Sequence, residues 1–268
     1  MQSEVILESK AISKRFGDFT AVDKVNYQLL RGESAGIIGP NGAGKSTFFN
    51  LLTGLFTPTE GQIFLFSQDV TNLRADQRVG LGVVRTFQLV SVFSTLSVLD
   101  NLVLSVVRFD PKTSKKSRFI LGSAHPSHII DECLAALDSV GICHLAQEMT
   151  AELSYGDKRK LEIAMGLALK PQVLLLDEPL AGLGDGEINE VLKLVRKVQQ
   201  KLTLVIIEHK ISRIVDLVTR LSVMHEGQLI ADGTPDEVLQ NPTVRQVYWG
   251  DKSARKFSGL ATKEKAEV

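Results

Sequence analysis

Residues Gly39-Pro40-Asn41-Gly42-Ala43-Gly44-Lys45-Ser46-Thr47 combine glycines, a lysine and two hydroxyls in the spacing G-x-x-x-x-G-K-[ST]. That combination suits a polyphosphate. Glycines let successive backbone N–H groups turn inward around phosphate oxygens. A helix starting at the end of the loop adds partial positive charge at the same point. Lys45 can then reach the β- and γ-phosphates, and the Ser46 hydroxyl can ligate Mg²⁺. A second reactive group closes the apolar run Val173-Leu174-Leu175-Leu176 with Asp177-Glu178-Pro179. Ionised carboxylates are rarely buried without a partner, so two of them at the end of a core strand are poorly explained by packing. Beside a nucleotide they have work: Asp177 holds Mg²⁺, usually through water, and Glu178 orients and deprotonates the attacking water.

Such groups must be carried by strands and helices, and the sequence predicts them. Residues 35–38 read as a buried strand leading into the glycine loop, and residues 47–52 as the helix leaving it. Residues 4–38 hold several short strands around a turn at Gly17-Asp18, and residues 83–87 form another core strand. Residues 96–107 are helical, with Leu96, Leu99, Val103 and Val107 on one face, and residues 129–140 form a second helix. Between them, residues 108–128 are polar, basic and interrupted by proline. They read as a surface loop of a helical lobe, either solvated or touching a partner or anionic lipid headgroups. A helix over residues 156–169 precedes the strand at 173–177; a helix at 187–200 and a β-branched strand at 203–207 follow. This alternation indicates an α/β fold with a largely parallel sheet. Residues 251–268 are charged, poor in apolar residues and predicted to be disordered.

The chain has 268 residues with 31 basic and 31 acidic side chains, which suits one large domain or one domain with an inserted lobe. Zero net charge argues against a general nucleic-acid binder. No run of about 18 apolar residues is present to span a membrane, and Met1-Gln2-Ser3-Glu4 does not resemble a signal peptide. Cys133 and Cys143 read as reduced core residues. These features predict a soluble intracellular protein that can still dock on a membrane protein.

Four further motifs accompany the glycine loop and the carboxylate pair. They are Phe87-Gln88, Leu153-Ser154-Tyr155-Gly156-Asp157, the turn from Leu180 to Asp185, and Glu208-His209. The six in this order resemble the nucleotide-binding subunit of ATP-binding cassette (ABC) transporters over roughly residues 4–250. The resemblance implies a P-loop NTPase (RecA-like) α/β fold with an N-terminal antiparallel β subdomain. It also implies a helical subdomain inserted at about residues 89–158 of an ATPase domain spanning 1–250. Three local features look like the ATPase subunits of branched-chain amino acid importers and of their relatives that import urea or short amides. They are Val83-Val84-Arg85-Thr86-Phe87-Gln88, Ser154-Tyr155-Gly156 with Leu161-Glu162-Ile163-Ala164, and Val247-Tyr248-Trp249-Gly250.

The resemblance assigns roles. Gly39, Asn41, Gly42, Gly44, Lys45, Ser46 and Thr47 cradle the phosphates of ATP, and Ser46, Gln88 and Asp177 serve Mg²⁺. Phe16 matches the aromatic that stacks on adenine, or else is a plain core residue. Glu178, His209, Gln88 and Lys45 form the catalytic set, with His209 contacting the γ-phosphate and orienting Glu178. His125, His128, His144 and His225 match no motif and are read as structural. Ser154 and Gly156 match the signature that closes over the γ-phosphate held by an opposing subunit, so the site is complete only in a head-to-tail dimer. Asp157 departs from the commonest signature and is expected to point away from phosphate. Gly184 stands where the family usually carries an acidic or amide side chain, with Asp185 adjacent. The implied partners are integral-membrane permease subunits, a second ATPase subunit (identical or different) and, indirectly, a periplasmic or extracellular substrate-binding protein, with no nucleic acid. The implied location is the cytoplasmic face of the cell membrane, peripherally bound. Leu89-Val90-Ser91-Val92-Phe93 is either a groove for the permease or core packing of the lobe. Two other machines use similar subunits: lipid or lipopolysaccharide exporters, and soluble ATP-gated clamps on nucleic acid. The clamps usually carry two cassettes or a coiled-coil insertion, neither of which is present here.

Overall fold

The computed structural model describes residues 4–86, 92–109, 127–209 and 211–249. Two long strands open it: β1 (Val5–Phe16) and β2 (Phe19–Leu30) pair antiparallel across the Gly17-Asp18 turn. β2 buries Val25, Tyr27 and Leu29 while exposing Lys24, Asn26 and Gln28, the period of two expected of a strand with one wet face. The sequence suggested several short strands here, because polar residues interrupt the apolar runs. The interruptions lie on the solvent face, so each strand continues for 12 residues.

The remaining elements follow in order: β3 (Ser34–Ile38), α1 (Lys45–Leu52), β4 (Glu60–Leu65), β5 (Gln68–Asp69), α2 (Ala75–Gly80), β6 (Val83–Arg85), α3 (Val98–Val107), α4 (Ser127–Val140), α5 (Tyr155–Ala168), β7 (Val173–Asp177), α6 (Asp185–Gln199), β8 (Thr203–Ile207), α7 (Ile211–Ile214), β9 (Arg220–His225), β10 (Gln228–Gly233), α8 (Pro235–Gln240) and α9 (Pro242–Trp249).

Two sheets result. One is antiparallel, in the order β2-β1-β4-β5; the other runs β10-β9-β3-β8-β7-β6. In the second sheet β3 pairs in parallel with β8 and β9, and β7 with β8 and β6; β10 alone is antiparallel. The parallel pairing brings the C-terminal ends of β3, β7 and β8 to one edge of the sheet, where α/β proteins bind ligands. Those ends deliver Gly39, Asp177-Glu178 and Glu208-His209 to the same place.

Alternate side chains of the sheet enter different cores. Val84, Leu174, Leu176, Leu204, Ile206, Leu221 and Val223 face helices α3 to α6. Ala35, Ile37, Val173, Leu175, Val205, Ile207 and Met224 face α1 and the antiparallel sheet. Helices α3, α4 and α5 pack on one another and share the first core with the sheet. Cys133 is buried, Cys143 half-buried, and both are free thiols. None of the helices among the described residues is long and apolar enough to cross a membrane.

Most of the predicted elements appear, with shifted ends. Strands 173–177 and 203–207 match residue for residue. The helix after the glycine loop starts at Lys45, two residues earlier than predicted, because Gly44 serves as its N-cap. α3 starts at Val98 because Ser97 caps it, accepting from the Asp100 N–H at 3.0 Å. β6 stops at Arg85. Phe87, Gln88, residues 89–91, most of the predicted 108–128 loop and the 251–268 tail lie outside the described residues.

One buried cation, absent from the motifs of the sequence, anchors α1. Arg78, fully buried, donates to the carbonyls of Leu51 at 2.7 Å and Leu52 at 2.8 Å, at the C-terminal end of α1. It also donates to those of Val70, Thr71 and Leu73. Cations near the last carbonyls of a helix complement its dipole. Burial pulls the Arg78 pKa down to about 10, still well above neutrality. The helix whose first turn carries Lys45 and Ser46 is thus fixed from its far end.

Candidate active site

The glycine loop leaves β3 under tight steric limits. A Cβ at Gly39 would lie 2.3 Å from the Met224 carbonyl oxygen, so the β9 backbone passes too close for any side chain. Gly44 has φ +96°, and a Cβ there would lie 2.3 Å from the Ala21 carbonyl oxygen. Glycine is the residue that tolerates both constraints. Lys45 is buried, and its Nζ donates to the carbonyls of Gly39 at 2.7 Å and Pro40 at 2.9 Å. Burial lowers the Lys45 pKa, and attraction to Glu178 and Asp177 opposes that shift.

A cavity of about 390 Å³ opens above the loop, lined by Phe19, Ala21, residues 41–47, Glu178 and His209. Residues from three strand ends and the loop therefore converge on one space. His209 Nε2 lies 2.5 Å from Glu178 Oε1. Glu178 has φ +47°, the left-handed region that non-glycine residues rarely adopt, and such strain clusters at functional sites. A carboxylate held against an imidazole at the mouth of a phosphate-binding loop can accept a proton from water placed between it and a phosphate.

Asp177 is 1% exposed. Its Oδ2 accepts from the Arg85 guanidinium, while its Oδ1 has no hydrogen-bond partner among the described residues. A buried carboxylate oxygen left unpartnered at the end of β7 fits a water-mediated contact to Mg²⁺. Ser46 is exposed at the loop, as a metal-ligating hydroxyl must be. Gln88, the third predicted metal contact, lies outside the described residues.

Arg85 ties three parts of this floor together. It donates to Asp177 and, at 2.5 Å, to Asn50 Oδ1 on α1, and its guanidinium lies 5.5 Å from the Phe49 ring centroid. Both members of the Arg85–Asp177 pair are buried. Arg85→Leu is expected to cost about 3–5 kcal/mol of stability, because it leaves the Asp177 charge buried without its cation. Urea unfolding measures this; a loss below about 1 kcal/mol would contradict a compensating role for Arg85.

Ser154 and Gly156 stand apart and do not line the cavity. Ser154 caps α5: its Oγ accepts from the Asp157 N–H at 3.0 Å and donates to Asp157 Oδ2 at 2.8 Å. The Asp157 carboxylate lies on the Ser154 hydroxyl, because the cap geometry brings the two together. The Gly156 N–H donates to Glu187 Oε1 at 2.9 Å, and the Gly184 N–H donates to Glu187 Oε2 at 3.0 Å. Glu187 thus supplies a carboxylate beside the turn where Gly184 has no side chain. Tyr155 closes on the same turn, with its ring 2.9 Å from where a Gly182 Cβ would stand.

Phe16 packs edge-on against Phe56 with ring centroids 5.5 Å apart and does not line the cavity. The aromatic at the cavity wall is Phe19, its cross-strand partner. A two-residue turn at Gly17-Asp18 pairs positions 16 and 19, so this neighbour was legible in the hairpin. In the sequence Glu208 stands only as the neighbour of His209 in its motif, and Arg213 belongs to no motif. The Leu180 N–H donates to Glu208 Oε1 at 3.0 Å, and Arg213 Nη1 donates to the Leu180 carbonyl at 3.2 Å.

Burial raises the Glu208 pKa; the Leu180 N–H and the Arg213 charge only partly offset it, and nearby Glu178 raises it further. A raised carboxyl pKa means that ionisation opposes folding. That penalty is present above the folded pKa and fades as pH falls toward the ordinary value of 4.5. Glu208→Gln is therefore expected to stabilise the fold at neutral pH, with the gain shrinking on acidification. Chemical unfolding at several pH values measures it, and a gain unchanged by pH would contradict this account.

The comparisons with known proteins agree with this geometry. A family profile described as "ABC transporter" matches residues 22–181. A second, described as "Branched-chain amino acid ATP-binding cassette transporter", matches residues 228–251. The chain is 35% identical over 254 residues to the high-affinity branched-chain amino acid transport ATP-binding protein LivG of Escherichia coli, covering 93% of this chain and 99% of LivG. It is 33% identical to the corresponding BraF protein of Pseudomonas aeruginosa, with 93% and 99% covered. A crystal structure of the ADP conformation of an ATP-binding cassette of an ABC transporter superposes with a TM-score of 0.82 at 31% identity, covering 93% of this chain and 100% of that one.

Proposed function

The chain belongs to the ABC transporter family of ATP-binding subunits, and from that premise we propose that it hydrolyses ATP to drive uptake of branched-chain amino acids. The observation that carries this reading is the Glu178–His209 pair at the mouth of the glycine-loop cavity. The match of residues 228–251 to the branched-chain amino acid family narrows the substrate class, while urea and short amides are the neighbouring options.

In this reading the loop N–H groups and the α1 N-terminus hold the phosphates of ATP. Lys45 exchanges its bonds to Gly39 and Pro40 for phosphate oxygens. Asp177 and Ser46, with Gln88, would hold Mg²⁺, which would supply charge neutralisation to the bound phosphates. Glu178 accepts a proton from the attacking water, and His209 fixes the orientation of that carboxylate. Most of the acceleration comes from positioning and charge neutralisation.

The second half of the site comes from another subunit. Ser154 is exposed and, like Gly156, lies off the cavity, which supports a γ-phosphate bound by the opposing subunit as their target. On closure the Ser154 hydroxyl turns from Asp157 to that phosphate. The helical lobe between Gln88 and Ser154 then passes the motion to permease subunits at the cytoplasmic face of the membrane. A substrate-binding protein acts on the far side, and nucleic acid has no part.

Purification of the tagged chain from mildly solubilised membranes tests the assembly. Recovery of multi-spanning permeases, with or without a second cassette ATPase, is expected. Recovery of soluble or nucleic-acid-bound partners alone would overturn the importer reading in favour of an ATP-gated clamp.

A further inference from the structure

We infer that Glu208 and Arg213 are positioning residues: they clamp the Leu180 backbone through the peptide groups on either side of it and so hold the strained backbone of Glu178 in register with His209. The inference rests on the reading of Glu178 as the base.

Glu178 sits at φ +47° between the end of β7 and the turn that begins at Leu180. A non-glycine residue stays in that region only when its surroundings fix it there. The surroundings are the end of β8 and the residues just after it. The Glu178 N–H donates to the Ile207 carbonyl at 3.0 Å, and the Ala181 N–H donates back to the Glu178 carbonyl at 3.0 Å. Beyond that point no strand among the described residues pairs with the Leu180 backbone, yet Leu180 is 1% exposed. A buried residue needs both its N–H and its carbonyl satisfied. Glu208 Oε1 accepts from its N–H, and Arg213 Nη1 donates to its carbonyl. The backbone of one residue is thus gripped through two successive peptide groups, its N–H by Glu208 and its carbonyl by Arg213, both from the segment that carries His209.

A packing role explains this poorly. Glu208 is 4% exposed, and a buried carboxylate is an expensive way to satisfy one N–H. An uncharged acceptor would serve a static turn as well. What Glu208 adds is its place in the chain, next to His209. Movement of His209 must carry Glu208 with it, and Glu208 carries Leu180. The turn from Leu180 runs on to Gly184, whose N–H is held by the same Glu187 carboxylate that accepts from Gly156. The clamp therefore stands at the head of a continuous set of contacts from His209 to the signature helix.

The test uses the full-length chain and measures steady-state ATP turnover, affinity for a fluorescent ATP analogue and the thermal midpoint. Glu208→Ala is expected to lower kcat by about tenfold or more, the scale of a small displacement of a catalytic group, with analogue affinity within about threefold of wild type. Glu208→Gln keeps the acceptor and is expected to restore most of kcat. Arg213→Ala is expected to lower kcat by a smaller factor, again with affinity retained. Glu178→Gln runs alongside: full turnover there would remove the premise, whereas its loss beside an unimpaired, folded Glu208→Ala would overturn the clamp alone. A parallel fall of kcat and affinity in Glu208→Ala would also overturn it, as a general loss of structure. Should Glu208→Ala fail to fold, Arg213→Ala decides: lowered kcat at retained affinity upholds the clamp, and unchanged kcat refutes it.

Discussion

Glu178→Gln is expected to bind ATP with nearly unchanged affinity and to hydrolyse it about 10²–10⁴-fold more slowly. The substitution is isosteric. Its amide oxygen can keep the contact that Glu178 Oε1 makes with His209, and the backbone bonds from Glu178 to Ile207 and Ala181 do not involve the side chain. What is lost is the ability to accept a proton as a nucleophilic water attacks the γ-phosphate. In the proposed mechanism the phosphate contacts lie elsewhere, on the glycine loop and Lys45, so binding is expected to survive. Single-turnover hydrolysis and equilibrium binding separate the two quantities. Retention of more than about a tenth of the wild-type rate would count against Glu178 as the base, because general-base contributions are larger than that.

Lys45→Ala is expected to fail at an earlier step. The ammonium is the buried cation of the loop, and charge-assisted hydrogen bonds to phosphate contribute about 1.5–3 kcal/mol each. Loss of one corresponds to roughly 10- to 100-fold weaker ATP binding, with hydrolysis falling further because the same charge stabilises the transferring phosphoryl group. Lys45 also bonds the carbonyls of Gly39 and Pro40, so its removal loosens the loop it serves. Equilibrium binding of ATP measures the first effect. Unchanged affinity would contradict the assignment of residues 39–47 as the phosphate cradle.

The two variants divide the site as the sequence did. The glycine loop and Asp177-Glu178 were legible because each couples an unusual local composition to an apolar strand. Backbone constraints enforce that coupling: a glycine where the β9 backbone approaches Gly39, and a carboxylate at a strand end that faces the cavity. The strands at 173–177 and 203–207 were equally legible, since parallel strands buried on both faces read as unbroken apolar runs. Three kinds of feature were not. Arg78 satisfies itself entirely with backbone carbonyls, which leave no trace in side-chain spacing. Glu187 and Asp157 act through capping geometry that depends on where a helix begins, and helix ends are the least certain part of a sequence reading. Glu208 and Arg213 meet Leu180 only because β7 and β8 are sheet neighbours, a relation across 28 residues between Leu180 and Glu208 and 33 between Leu180 and Arg213. Phe19 is an intermediate case: the hairpin turn paired it with Phe16, but the motif drew attention to Phe16 alone.

Uptake of labelled leucine into proteoliposomes tests the central claim most directly, with this chain reconstituted beside its permease subunits and binding protein. The account predicts accumulation that requires ATP inside the assay on the side of the cassette, rises with the leucine-loaded binding protein and disappears with Glu178→Gln. ATP hydrolysis by the assembled complex without leucine accumulation, and without stimulation by the loaded binding protein, would contradict it.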